Sequence, residues 1–302
     1  MKENSGLASK LSNGAFVVTA EFLPKAGASR DLIKATAQSL GNGVAAVNVS
    51  DNPFGTVTSS LAACVVLQDA GIEPVYQLVS RDRNRIAIQS DVLGAATLGI
   101  QNMLCLTGYH QSLMGHPESA NVYDIDSVQM LGAVQAMNDS QSLMNGEAIA
   151  GDFAMTTGAV ANPYLRPLPL NMMKLAKKVQ AGALFIQTQA VFDIAPFAEW
   201  LDAAKAEGIA DKAAILAGVM PLASADEAEE LRNTFTDFVI PDSIVERLRA
   251  AGDVDAQKKE GIAICAEFVQ KVKALDGIKG IHILSGGKET VVPDVIAAAG
   301  LG

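Results

Sequence analysis

The chain has 302 residues, 49% of them hydrophobic and only 5% aromatic, with 33 acidic against 23 basic side chains, a net charge of −10 and a pI near 4.8. So acidic a chain excludes a general nucleic-acid surface. Mean hydropathy is high at +0.24, yet charges and glycines interrupt every apolar run before the roughly twenty residues that a membrane span needs. The length suits two small domains or one large α/β core, and the weight of Ala, Val, Ile and Leu favours the second. No apolar stretch follows the first five residues, so no secretion leader is expected. Cys64, Cys105 and Cys265 are scattered at no metal-ligand spacing, which points to buried thiols in a reducing cytoplasm and to no metal site.

From Ala15 the chain repeats one unit: a short β-branched apolar run, a turn, then an amphipathic stretch of helical length. Strands are expected at Ala15–Glu21, Val44–Val49, Pro74–Val79, Asn102–Leu106, Ala148–Met155, Ala183–Gln187, Ala214–Val219 and Gly280–Leu284. Helices are expected at Arg30–Leu40, Ser59–Ala70, Asn84–Leu98, Ser127–Asn145, Leu168–Gln180, Ile194–Glu207, Ala225–Asn233 and Pro293–Ala299. Gly41, Gly71, Gly99, Gly146, Gly182 and Gly208 stand where a left-handed C-cap would close a helix. Eight alternating units predict a (β/α)8 TIM barrel, with a doubly wound open sheet as the alternative. Two extra helices, Asp242–Ala250 and Ala256–Leu275, come before the last strand. With no linker flanking them, they read as a helical insertion at about 235–277 in a single domain covering 1–302.

In a barrel, chemistry sits where strands end. Those positions hold Glu21, Asn48, Ser50, Gln77, Ser80, Thr107, Tyr109, Thr156, Asn162, Gln187, Gln189 and Ser285. This ring is polar and mostly uncharged, which suits a flat heteroaromatic ligand better than a bare metal ion. Glu21 is the exception, a carboxylate closing an apolar strand, where burial would keep it protonated as a general acid requires. Arg81, Arg83 and Arg85 precede a helix start, and they fit either a nucleotide or flavin phosphate site or a salt-bridged turn around Asp82. After the fourth strand comes a loop of about fifteen residues carrying His110 and His116, long enough to be functional. Its histidines read as hydrogen-bonding groups, with no ligand set around them; His282 reads as a core residue and Trp200 as packing. No GxGxxG, GxxxxGK[ST] or GxSxG occurs in a fitting context, which removes support for a Rossmann oxidoreductase, a P-loop ATPase and an α/β-hydrolase.

The order of TAEFLPKAG, VNVSDNP, SRDRNRIAIQSDVLGAATLGIQNMLCLTG, His116-Pro117, YDIDSVQML, GAVANP, KKVQAGALFIQTQAVFD and GVMPL resembles the methylenetetrahydrofolate reductase family, above all its forms in anaerobic, folate-using bacteria. The resemblance runs from about Phe16 to Val292. It implies a flavin-containing barrel that reduces 5,10-methylenetetrahydrofolate to 5-methyltetrahydrofolate, or runs in reverse, with FAD as cofactor and FMN open. By position, Glu21 resembles the acid that protonates N10 and opens the five-membered ring, and Gln189 the glutamine that binds the pterin, with Gln187 beside it. Lys178 resembles the lysine near the flavin; Ser50, Gln77 and Asn162 occupy flavin-contacting positions, Arg81 and Arg83 would lie near its phosphates, and Thr107, Gly108 and His110 around it. Two departures stand out. Relatives carry an aspartate where Leu106-Thr107-Gly108 leads into Tyr109, which places a phenol in the catalytic and substrate-binding position, and a Gln-Thr containing turn where this chain has Asp51-Asn52-Pro53-Phe54-Gly55. Loss of that carboxylate opens a second reading, a flavin-free folate barrel passing a methyl group to or from a corrinoid protein. A third is a binding subunit that works with an electron-transfer partner. A homo-oligomer is also open.

Overall fold

Eight parallel strands pair in chain order, and the last closes on the first: β1 (Val17–Phe22), β2 (Ala46–Val49), β3 (Pro74–Val79), β4 (Asn102–Leu106), β5 (Thr156–Ala161), β6 (Phe185–Ala190), β7 (Ala214–Val219) and β8 (Ile278–Ile283). The computed structural model describes residues 4–301 except 41, 42 and 237. The closing pair runs Val17 against Gly280 to Ala20 against Ile283. The expected (β/α)8 barrel is therefore present and the open sheet is not.

Helices cover the outside: α1 (Gly6–Ser12), α2 (Arg30–Ser39), α3 (Ser60–Asp69), α4 (Arg85–Thr97), α5 (Ser127–Ser140), α6 (Leu168–Gln180), α7 (Ile194–Ala206), α8 (Ala225–Thr234), α9 (Asp242–Ala250), α10 (Val254–Lys273) and α11 (Val292–Ala298). Gly71, Gly99, Gly182 and Gly208 follow helices with positive φ, as their C-cap role requires; Gly41 lies outside the described residues. The extra helices α9 and α10 are present, and α10 packs on β7, β8 and α11.

The fifth unit departs from expectation. Ala148–Met155 is a loop and the strand is the next run, TTGAVA. The helix before it ends at Ser140, capped by Gln141 in the left-handed region (φ 49°), so Gly146 turns within the loop. The loop backbone is held by side chains: Gln141 bonds Phe153 N (2.7 Å) and O (2.9 Å), and Asn138 bonds Met155 N and O (both 2.9 Å). Both apolar runs look like strands, and only the long-range pairing to β4 and β6 decides between them.

Inside the barrel the side chains form layers. At the N-terminal end Leu7 and Leu11 of α1 pack on Val17, Ala46, Val75, Leu104, Phe185, Ala214 and Leu216. A helix of seven residues is too short to show a period, so it was not expected. It is tied down by Ser5, whose side chain accepts from Ala8 N (3.0 Å), and by Glu73, which accepts from Leu7 N (2.9 Å) and Asn102 Nδ2 (2.7 Å). Gly158 makes room for Phe185, since a Cβ there would lie 2.2 Å from the ring. Above this apolar plug comes a buried polar layer. Asn48 and Gln187 exchange two amide hydrogen bonds (2.7 and 3.0 Å), Gln187 Nε2 also donates to Thr19 Oγ1 (3.2 Å), and Thr19 Oγ1 pairs with His282 Nδ1 (3.0 Å). His282 is buried, and burial holds its pKa down to about 3, so the ring is neutral. It is the satisfied core residue expected, and it also reaches the floor of the cavity above.

Candidate active site at the barrel mouth

A cavity of about 380 Å³ opens at the C-terminal ends of the strands, above the polar layer. Glu21, Gln77, Arg81, Thr107, Gly108, Tyr109, Lys178, Gln187 and Gln189 all line it. Four other residues expected at the site are not in its wall. Ser50 stands behind Glu21, donating from Oγ to Glu21 Oε1 (3.2 Å). The Asn162 side chain accepts from Tyr164 N (2.9 Å) and its carbonyl accepts from Asn171 (2.8 Å), which shapes the turn before α6. Arg83 and His110 are placed by the loops, as follows.

The arginine run is a salt-bridged turn. Arg81 is 2% exposed and binds Asp82 through Nε (2.7 Å) and Nη2 (2.8 Å), with Nη2 also donating to Asn52 O (2.9 Å). Arg83 binds Asp51 (2.7 Å) and Asp91 (2.8 Å), and Arg85 binds Asp124 (2.8 Å), holding that exposed carboxylate down to about 2. Each guanidinium thus already faces a carboxylate. Asp51 itself is buried and accepts from Val79 N (2.9 Å), fixing the end of β3.

The long loop after β4 is internally bonded. His110 caps a short 3-10 turn at Gln111–Leu113, with Nδ1 2.8 Å from Ser112 Oγ and Nε2 3.0 Å from Asn121 Nδ2. His116 pairs with Glu118 at 3.4 Å on the surface. Thr107 Oγ1 accepts from Ser127 N at the start of α5 (3.0 Å). Gly108, at φ 88°, lets the chain pass Arg81, since a Cβ would come within 3.1 Å of the arginine's own Cβ. Among the described residues no group of three or more His, Cys, Asp or Glu is placed to hold a metal ion.

Two charged groups face the cavity with neutral partners. Glu21 accepts from Ser50 Oγ and from Gly286 N (3.2 Å), and burial, reinforced by the charge of Glu289, raises its pKa above the ordinary carboxylate value. Lys178 donates to Val160 O (2.6 Å), and burial, helped by Lys174, lowers its pKa. An acid whose pKa is raised and an amine whose pKa is lowered thus share one cavity, the pattern expected of acid–base chemistry.

Much of the rest of the wall is aromatic and aliphatic. Phe235 and Phe238, on the segment after α8, line the mouth together with Phe54, Leu104, Leu106, Val160 and Leu284. Sequence reasoning had not placed Phe235 or Phe238 at the site. Their signal was available as Phe-Thr-Asp-Phe directly after a helix in a chain with few aromatics.

Comparison with known proteins fits this geometry. The family model for methylenetetrahydrofolate reductase matches residues 7–300. A probable methylenetetrahydrofolate reductase (NADPH) of Caenorhabditis elegans is 21% identical over 247 residues, 82% of this chain but 35% of that longer protein. The 5,10-methylenetetrahydrofolate reductase of Pectobacterium carotovorum is 22% identical over 220 residues, 72% of this chain and 66% of that one. Among solved structures, a Clostridium thermocellum protein described as binding two copies of 5-methyl-5,6,7,8-tetrahydrofolic acid superposes with a TM-score of 0.66 at 14% identity, covering 98% of both chains. With a match that spans nearly its whole length, on a closed barrel whose mouth holds a half-buried glutamate, the chain belongs to the methylenetetrahydrofolate reductase family.

Proposed function

We propose that this chain interconverts 5,10-methylenetetrahydrofolate and 5-methyltetrahydrofolate, with the folate's bicyclic ring in the barrel cavity and Glu21 as the proton donor. The observation that carries this is Glu21 itself: a carboxyl at the cavity wall, held by Ser50 and Gly286, whose pKa desolvation raises above the ordinary carboxylate value. The folate bound by the Clostridium thermocellum neighbour supports the ligand class.

In the reducing direction Glu21 gives its proton to N10 as the N10–methylene bond breaks. The carbon left on N5 is then a cationic iminium, and a hydride converts it to the methyl group. A carboxylate left behind in a low-dielectric cavity stabilises that positive charge. Gln189 presents its amide to the pterin edge, above Gln187, whose own amide is engaged by Asn48 and Thr19. In reverse, Glu21 takes the proton back from N10.

The family implies a flavin. Its ring needs amide or hydroxyl partners for the imide edge and a positive group nearby; Gln77, Thr107 and Lys178 at the cavity wall fit these needs. They would hold a flavin ring, FAD in the first instance, which when bound supplies the hydride. The dinucleotide's phosphates find the nearby arginines already paired with Asp82, Asp51 and Asp124. Three free, buried cysteines suit a reducing cytoplasm, and among the described residues no helix is long and apolar enough to cross a membrane.

Tyr109 favours a second reading. A neutral ring where relatives carry a carboxylate leaves one acid fewer for charge stabilisation, and methyl transfer to a corrinoid protein needs no hydride. One experiment separates the two. Protein reconstituted with FAD and mixed anaerobically with 5-methyltetrahydrofolate should reduce the flavin; a colourless protein that passes the methyl group to a cobalamin protein would select the second reading.

A further inference from the structure

Two stretches set this chain apart from the family pattern, Pro53-Phe54 after β2 and Tyr109 after β4, and in the structure they meet. Phe235 lies between them, its ring centroid 5.4 Å from that of Phe54 and 5.8 Å from that of Tyr109, with tilts of 46° and 38°. Phe238 adds a fourth ring 6.2 Å from Phe235 at 59°. These are the separations and tilts at which aromatic rings attract. The backbone supports the cluster too: Gly115 N donates to Phe54 O (3.1 Å), joining the β2 and β4 loops, and Arg81 Nη1 donates to Tyr109 O (3.4 Å).

All four rings line the cavity, and Phe54 is 52% exposed. The chain thus commits three of its ten phenylalanines and one of its four tyrosines to one rim. An exposed phenylalanine on the rim of a cavity is apolar surface that a bound ring would cover. The floor is different in kind, built from the amide of Gln187 and the neutral imidazole of His282, with the amide of Gln189 above them. A ligand matching both levels is polar and heterocyclic at one end and an apolar aromatic ring at the next.

We infer that Phe54, Tyr109, Phe235 and Phe238 form one aromatic wall that makes this barrel selective for a bicyclic ring bearing a second aromatic ring, and that Tyr109 serves the wall through its ring. This rests on the folate reading given above. Phe235 is the specificity-determining residue, because it touches the other three rings, and Tyr109 is a binding-wall residue instead of a stand-in for the missing acid.

The test is titration calorimetry with three ligands: tetrahydrofolate, tetrahydropteroate, which keeps the aryl ring but lacks the glutamate, and 6-methyltetrahydropterin, which lacks the aryl ring. Wild type should bind tetrahydropteroate at least about tenfold more tightly than the bare pterin. Phe235→Ala should remove most of that preference, by weakening tetrahydropteroate about tenfold and the pterin less than about twofold. Should that variant fail to fold, Phe235→Leu, which keeps bulk without a ring face, is expected to lose the preference in the same way. Tyr109→Phe should keep it. Equal wild-type affinities for the two, an unchanged preference in Phe235→Ala, or a loss in Tyr109→Phe as large as in Phe235→Ala would each overturn the wall. Failure of wild type to bind any of the three would overturn the folate reading itself, and this inference with it.

Discussion

Tyr109 and Phe235 pack ring against ring at 5.8 Å, joining the loop after β4 to the segment after α8 at the rim of the cavity. The Tyr109 ring is therefore part of a packed aromatic rim, where a carboxylate would be desolvated. This leaves Glu21 as the acid on which the proposed chemistry depends, and the first variant to make follows from that.

Glu21→Gln should lower turnover by about 10²–10⁴-fold, the usual share of a general acid, with ligand binding largely kept. Its stability effect has a definite sign. The folded-state pKa is raised above 4.5, so the contribution from the bound proton is complete below that value and lost as pH rises through the folded pKa. Glutamine does not titrate. The variant should melt with wild type near pH 4 and above it near pH 8, as thermal scans at the two pH values would show.

His282 gives the opposite slope. Its pKa falls from 6.5 to about 3 on burial, so stability is present above 6.5 and lost as pH falls through the folded value. At pH 5 the loss amounts to about 2 kcal/mol, at 1.36 kcal/mol per pH unit. His282→Gln should flatten the decline between pH 6.5 and pH 4, measured by denaturant titration; an acid limb as steep as wild type would show that another group controls it.

The arginine turn should prove structural. Asp51 is 2% exposed and holds both Arg83 and Val79 N. Asp51→Ala leaves Arg83 short of a partner and should cost on the order of 3 kcal/mol. Arg83→Gln should likewise lower the melting temperature while changing FAD affinity less than about threefold. A large loss of FAD affinity without loss of stability would make Arg83 a phosphate ligand.

The plug beneath the barrel is a packing site. Leu7 is fully buried among the inward side chains of six strands, and Leu7→Ala should cost about 2–5 kcal/mol. Gly158→Ala would drive a Cβ into the Phe185 ring and should cost about 1–3 kcal/mol. Both are read from urea denaturation midpoints.

The barrel was legible because seven of its eight strands are apolar runs alternating with helices, four of which close at an expected glycine, Gly71, Gly99, Gly182 and Gly208. The fifth was misplaced because two strand-like runs adjoin and pairing partners are not local. Of the polar ring expected at the strand ends, Glu21, Gln77, Thr107, Tyr109, Gln187 and Gln189 do line one cavity, whereas Thr156 begins β5 at the opposite end, bonded to Asn4. Side-chain pairing was not legible: that Arg81, Arg83 and Arg85 each find an aspartate depends on loops distant in sequence. The aromatic rim was hidden for the same reason, since Phe54, Tyr109 and Phe235 lie on three separate connections that only barrel closure brings together.

The most direct test of the proposed reaction is the visible spectrum of FAD-reconstituted protein under strict anaerobiosis as 5-methyltetrahydrofolate is added. Bleaching of the oxidised flavin with formation of 5,10-methylenetetrahydrofolate, absent in Glu21→Gln, is the expected result. A bound flavin that stays oxidised in wild type at saturating 5-methyltetrahydrofolate would contradict it.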